Sequence, residues 1–572
     1  MSDMGQRWRL AAIFAASALL TSNSVGQTLA DAQKMQAFAP GVSIDAQTRP
    51  TQSGTEGLSV TYALGHAQVP LVLKKPSSWA GASNLRRFID SATIVNGTLV
   101  GNDEEKWTVR PDNNGDIVVR YWIKATQFAQ ANWFGEPLHG SNWYFAFGPV
   151  LLSTFSGIGN TSARLSAGKG VFSNLPELSV SQKIYGRPPD PLEAFYFVGS
   201  DVQIASVVRD DQIRVAFPRS APDDLSGFAM SAGRMFDGMR RAFNQPSSPY
   251  SLAVVPFGPA QRFQGTAFPG GAALQTHGAD FAKAKWEVAH ELSHEWLPLQ
   301  MGGLDSSKNA IDQYWFSEGF NDFLSRLLLL RSGGASFEEF IKEWNETMHD
   351  YAVSPARNMD AATLRSMYWR DADAGRIPYL RGSLLALRWQ GGLVEAKARD
   401  DLQSRLEKMI RLRNSGSAIL RLQKIMAGSG INIASDIERF VVRGETIELS
   451  KKTFGPCAIV EKIRLPTFDR GFVPKKRDDG GWTATNVDPA SHAYRAGIRD
   501  GMHLLELIGG NPQDSTVDYT FRVEVGQKIQ TIAYRPAGKR TVEVQTVRPV
   551  RFDRSSRNHV ACEARAVDLW RN

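Results

Sequence analysis

At 572 residues, with 42% apolar and 22% charged residues, the chain has the make-up of a globular protein, and 14 Trp and 30 Phe are available to fill its cores. It exceeds what one hydrophobic core organises, so about three domains are expected. The net charge of +8 is mild for this length, and basic residues come singly or in short groups such as Lys74-Lys75 and Lys475-Lys476-Arg477 among acidic ones. That pattern is a solvated face and argues against a nucleic-acid partner.

The first residues form a separate case. Arg7 and Arg9 precede an apolar run at 10–20 (LAAIFAASALL), followed by small and polar residues with a small-x-small site at Ser24-Val25-Gly26. A charged start, a short apolar run and such a site predict a signal peptide over 1–26, with a buried N-terminal helix as the alternative. The run is shorter than the roughly twenty residues a bilayer span needs. No later stretch is long enough either, so a periplasmic or secreted protein without a stable membrane span is expected.

Within 27–220, from Gly57 to about Pro218, the pattern has period two. SVTYAL (59–64), DIVVRYWIKA (116–125), DVQIASVV (201–208) and IRVAFP (213–218) alternate apolar with polar residues, punctuated by Gly, Asn, Asp and Pro. This predicts an N-terminal antiparallel β domain, and it contains no cluster of candidate catalytic residues.

Over 221–455 helical patterns dominate. A strand, SLAVVPF (251–257), leads to a Gly-rich turn around FPGGAAL (268–274). A helix is predicted from Asp280 to Leu297, stopped by Pro298, and a second from about 312 to 331, ending on Ser332-Gly333-Gly334. Ser336 followed by Glu339 is a capping box opening a third. Further helices fit 379–395, 398–412 and 435–442. Strands return over 456–550, and 551–572 reads as a tail. The expected class is multidomain α+β.

The first of these helices carries the chemistry. In AHELSHEW (289–296), His290 and His294 stand at i and i+4 on one helical face, so both imidazoles can reach one ion. Glu291 lies at the edge of that face, within reach of a metal-bound water. The alternative is two surface histidines on an amphipathic helix, since Val288, Leu292 and Trp296 already supply an apolar stripe. A catalytic zinc wants three protein ligands and one open position. Glu318, in WFSEGFNDF (315–323), offers the third from a strongly apolar helix where a lone carboxylate would be costly to bury. Asp322, one turn on, can accept the second ring N–H of a ligating His. The set predicts a Zn2+ site with His290, His294 and Glu318 as ligands, Glu291 as catalytic base and Asp322 behind a ligand.

His-Glu-x-x-His-x-Trp (290–296) followed by Trp-x-x-Glu-Gly (315–319) resembles the M61 glycyl aminopeptidase family, a group of gluzincin zinc peptidases. The resemblance implies a thermolysin-like, mostly helical catalytic domain and peptide or protein substrates. That family also has a Tyr-x-Lys-Gly element opening a later helix, which PYLRG (378–382) matches with Arg381 in place of Lys. The resemblance implies that Tyr379 stabilises the oxyanion; a Tyr capping a helix start is the alternative. Family aminopeptidases further carry a Gly-Gly-x-Glu type motif whose carboxylate binds the substrate's amino terminus. Aligned on GGAALQTHG (270–278), that position falls on Gln275, a neutral amide, and His277 reads as a loop residue. A zinc peptidase is therefore implied, while the aminopeptidase activity is left open.

NVDPASHAYRAGIRDGMHLLELIGG (486–510) resembles a PDZ domain, with DRGFV (469–473) as the loop that would receive a peptide C-terminus. The alternative is a small β domain that only packs on the catalytic unit. Cys457 and Cys562 are the only cysteines. Export permits a disulfide between them, and two unpaired buried thiols are the alternative. Three functions remain: an exported metallopeptidase, a non-enzymatic peptide-binding protein on a peptidase scaffold, and a zinc hydrolase of another substrate. The intact Glu291 favours the first.

Overall fold

The computed structural model describes residues 43–51, 54–63, 70–112, 117–154, 171–175, 191–207, 212–221, 224–258, 262–278, 280–304, 309–413, 416–477, 481–510, 514–526, 528–551 and 562. The expected signal peptide and nearly all of the 551–572 tail lie outside these. No helix among the described residues is long and apolar enough to cross a membrane.

The N-terminal unit is built of β strands. Two four-stranded sheets and one five-stranded sheet, antiparallel except for a short pair at 126–127 and 138–139, enclose a core of Trp79, Trp107, Trp143, Phe145, Phe147 and Phe195. The boundary expected at 220 does not hold. Strand Val202–Ser206 pairs with Ile213–Pro218, which runs parallel to Tyr250–Pro256, and these join Gly271–His277 and Arg262–Phe268 in one mixed five-stranded sheet. Alternation cannot tell a strand of one sheet from a strand of the next, because both present the same period of two.

This mixed sheet is the middle layer. Along Gly271–His277, Ala272 and Leu274 belong to the helical core and Ala273 to the N-terminal core. Val254 and Val255 divide in the same way. Covered on both faces, strand Tyr250–Pro256 is buried at every residue, and apart from Ser251 its sequence is apolar or aromatic.

Helices Leu225–Ala242, Phe281–Ser293, Asn321–Arg331, Phe337–Val353, Ala372–Glu395, Leu402–Arg411 and Ala418–Met426 form the other layer. Ser336 makes the expected capping box with Glu339. Several helix limits differ from expectation, two of them next to the site. The Asp280 helix ends at Ser293 instead of 297: Leu297 has φ −124° and ψ 111°, and Pro298 follows inside a wider turn over Glu295–Gln300. The helix around Tyr379 begins at Ala372, capped by the Asp371 carboxylate on the Ala374 amide, which places Pro378 in its interior. Leu225–Ala242 and Ala418–Met426 have no counterpart among the expected helices.

Beyond 455 two long strands, Ala458–Phe468 and Ala537–Pro549, pair into an antiparallel arm. Asn345 of helix Phe337–Val353 holds the arm, accepting from the Val547 amide (2.6 Å) and donating to its carbonyl (3.1 Å). Cys457 and Cys562 are joined by a disulfide at its base, which resolves the two cysteine alternatives. At its far end sits an antiparallel sheet in the order Val473–Lys476, Trp482–Thr485, His503–Gly509, Tyr519–Val525, Lys528–Tyr534, with helix His492–Ala496. It has its own small core of Phe472, Ile498, Tyr519, Phe521 and Val523. In the 469–473 loop, the Gly471 amide donates to the Asp469 carboxylate at 2.9 Å.

Candidate metal centre and active site

Helix Phe281–Ser293 packs its Val288, Ala289 and Leu292 into the helical core, which turns His290 and His294 toward helix Asn321–Arg331 and the wide turn Trp315–Phe320 before it. His290 Nε2 lies 3.3 Å and His294 Nε2 3.4 Å from the same oxygen, Glu318 Oε2. The ligand atoms of the three residues all lie within 4.8 Å of one another.

Both rings are oriented through their other nitrogen. His290 Nδ1 donates to Asp322 Oδ1 at 2.8 Å. His294 Nδ1 donates to the Leu297 carbonyl at 2.9 Å. The helix break explains the second bond: with Leu297 out of helical geometry, its carbonyl is free to face the His294 ring. A carbonyl can only accept, so Nδ1 carries the proton and Nε2 presents its lone pair to the centre. Two imidazole nitrogens and a carboxylate oxygen, converging with their far sides fixed, are the donor set of a catalytic zinc site with an open position.

Two further residues hold the ligand helix and were not legible as site residues in the sequence. Asn321, fully buried, donates to the His290 carbonyl at 2.8 Å. Ser293 Oγ lies 2.7 Å from Asn321 Oδ1 and 2.9 Å from the same carbonyl. The only signal in the sequence was a polar residue inside an apolar helix.

Glu291 is buried, and its Oε2 has no hydrogen-bond partner among the described residues. Burial pushes its pKa up, against the pull of His290 and His294. Burial also acts to raise Glu318, but the two histidines outweigh it and hold that carboxyl well below its ordinary range. Burial opposes the charge on His290; its bonds to Asp322 and Glu318 prevail and raise its pKa.

Tyr379, 1% exposed, reaches the centre from helix Ala372–Glu395, its ring 6.2 Å from that of His290. Burial, with Tyr368, Glu318 and Tyr314 around it, raises its pKa well above the phenolic value. The glycines of the two motifs meet here. A Cβ on Gly319 would fall 2.5 Å from Gly382 Cα, and one on Gly382 only 1.9 Å from the Trp315 carbonyl oxygen. This backbone contact sets the spacing between Glu318, beside one glycine, and Tyr379, one turn before the other. Arg381 plays no part at the centre: buried, it donates to the carbonyls of Arg357, Met359 and Val441 and ties its helix to the adjoining segments.

Gln275 is a correction. Side chains alternate along a strand, and Leu274, paired with Gly265, is the one turned toward Glu291. Gln275 therefore faces the N-terminal β unit on the opposite side of the sheet. It is fully buried there, and neither of its amide atoms has a partner among the described residues. The strand that flanks the catalytic helix is the outer one, Arg262–Phe268, where Phe263, Gly265 and Ala267 share the site-facing side. His277 lies in strand Gly271–His277, so its backbone is not a loop.

Residues 285–377 match the M61 glycyl aminopeptidase family. No curated protein matches the chain. Among solved structures, an aminopeptidase N family protein from Idiomarina loihiensis is similar over 89% of this chain and 98% of its own, at 13% identity and a TM-score of 0.62. An M1 zinc metallopeptidase from Deinococcus radiodurans, bound to Tyr-Ser-Ala, covers 72% of this chain and 94% of its own at 17% identity and a TM-score of 0.44. Yeast LTA4 hydrolase covers 71% and 68% at 12% identity and a TM-score of 0.43. Only the first likeness is close enough to bear on the fold. By fold and metal centre, the chain has the architecture of an aminopeptidase-like zinc metallopeptidase. The segment that carries the site, 285–377, is, more narrowly, similar to the M61 glycyl aminopeptidase family.

Proposed function

We propose that this chain is an exported zinc peptidase in which Glu291 is the general base and Tyr379 the donor to the developing oxyanion. The observation that carries the reading is the convergence of His290, His294 and Glu318 beside a buried carboxylate with an unpartnered oxygen. His290, His294 and Glu318 would hold a zinc ion, which when bound would acidify a water and polarise the scissile carbonyl. Glu291 is the group placed to take a proton from an attacking water and to return it to the departing amine. Its burial keeps the proton-bearing form accessible, which suits the second half of that exchange. The Tyr379 hydroxyl, held protonated by its surroundings, donates to the oxyanion, and such donors commonly supply a large share of the rate. Asp322 and the Leu297 carbonyl keep both imidazoles aimed. No covalent intermediate is required.

Arg7, Arg9 and the apolar run after them support export, and the Cys457–Cys562 disulfide is consistent with an oxidising compartment. The same reading takes the five-stranded C-terminal unit as PDZ-like. Its outer strand Val473–Lys476, with Val473 52% exposed, is where a peptide strand would add.

The test is Glu291→Gln. The variant should bind zinc as the parent does and fail to hydrolyse peptides, whereas retained turnover would contradict the assignment of the base.

A further inference from the structure

The outer strand Arg262–Phe268 approaches the catalytic helix more closely than side chains permit. An ideal Cβ on Gly265 would lie 2.4 Å from Glu291 Cγ, 3.0 Å from Glu291 Cδ and 3.0 Å from Leu274 Cδ2. Carbon atoms in contact sit at about 3.5–4.0 Å, so a methyl group here must displace the Glu291 side chain or the strand. Gly265 is not among the positive-φ glycines, so its backbone conformation does not demand glycine. Only the close approach does.

Glu291 is 6% exposed, and Oε2 has no hydrogen-bond partner among the described residues. Most buried carboxylates are located by the groups they bond. This one rests its Cγ and Cδ on bare backbone where the neighbouring positions Phe263 and Ala267, on the same side of the strand, carry side chains that pack against the helical core. The gap at Gly265 is the width of one methyl group, and the stem of Glu291 fills it.

We infer that Gly265 is a positioning residue for the catalytic base: its missing side chain is the seat that fixes the Glu291 carboxylate between the sheet edge and the metal ligands. This rests on the proposed role of Glu291. It adds a residue from a different element, 26 positions upstream in sequence, that acts only through that carboxylate. A displacement of about an ångström in a reacting group commonly costs up to 10²-fold in rate. Gly265→Ala should therefore lower kcat by about 10- to 100-fold while KM stays within about threefold and zinc content is unchanged. An unchanged kcat, a loss confined to KM, or loss of zinc would each overturn the inference.

A thermal-stability cycle reads the contact without activity, and holds even where the single variant folds poorly. Gly265→Ala should lower Tm in the parent background and lower it clearly less beside Glu291→Ala, which removes the nearest atoms the new methyl group would strike and leaves only Leu274 Cδ2. An equal loss of Tm in both backgrounds would show that the glycine serves the strand alone. Failure of the underlying reading looks different: Glu291→Gln would then keep its turnover whatever stands at 265.

Discussion

The helical layer and the C-terminal five-stranded unit are both packed cores, yet they bury different things. Around the site Glu291, Glu295, Glu318, Asn321, Asp322 and Arg326 are all buried, whereas the described residues of the C-terminal unit bury Phe472, Ile498, Tyr519, Phe521 and their neighbours with little more polar than Ser491 and Ser515. Burying a charge costs free energy unless it is paired, bonded or bound to an ion. A core that tolerates so many is organised around something other than its own stability. Among its described residues the C-terminal unit carries no such mark. Whatever it does, it does with exposed edges such as Val473 and Ile529.

That contrast can be broken or sharpened by experiment. The largest effect is expected at the oxyanion donor. Tyr379→Phe should lower kcat by about 10²–10³-fold with zinc retained and KM little changed, and steady-state kinetics with metal analysis decide it. Asp322→Asn comes next. Removing the charge that His290 Nδ1 bonds should weaken zinc binding or activity by about 10- to 100-fold, read by competition with a chelator. Smaller still is the response to a blocked substrate. Gln275 faces away from the site, and residues 262–277 contain no Asp or Glu. Acetylating a peptide's amino terminus should therefore lower kcat/KM by less than about tenfold, since no carboxylate of those strands is left unpaired. A thousandfold loss would mean that another segment supplies an amino-terminus site. The smallest effect belongs to the C-terminal unit. Replacing 469–536 by a short turn between the arm strands should leave kcat/KM on a short peptide within about threefold, because that unit has its own core.

The sequence made the metal helix legible because the i, i+4 rule is local and needs no knowledge of the rest of the chain. Glu318 and Asp322 followed for a related reason: carboxylates in an otherwise apolar helix stand out before any contact is known. The failures have physical causes as well. Pro298 looked like the end of a helix, but the chain leaves α geometry a turn earlier, and Leu297 uses the break to orient His294. Gln275 was misplaced because two adjacent strands of one hairpin, Arg262–Phe268 and Gly271–His277, share the same period, and each carries a Gly, a Gln and a Thr. A slip between them, or by one residue, exchanges the faces of the sheet. Tyr379 was read correctly as a residue of the PYLRG element but wrongly as the start of its helix, since Pro378 resembles a first-turn proline and Asp371 is the true cap. The contact of Gly265 with Glu291 was illegible, because nothing local distinguishes a glycine that receives a neighbour from one that turns.

The central claim is a single zinc held by His290, His294 and Glu318. The most direct measurement is zinc titration of the chelator-stripped chain, followed by metal analysis and peptide hydrolysis, with His294→Ala in parallel. The account predicts recovery of hydrolysis at about one zinc per chain, and neither tight binding nor recovery in the variant. Full hydrolysis by the stripped chain, or equal zinc binding and activity in His294→Ala, would contradict it.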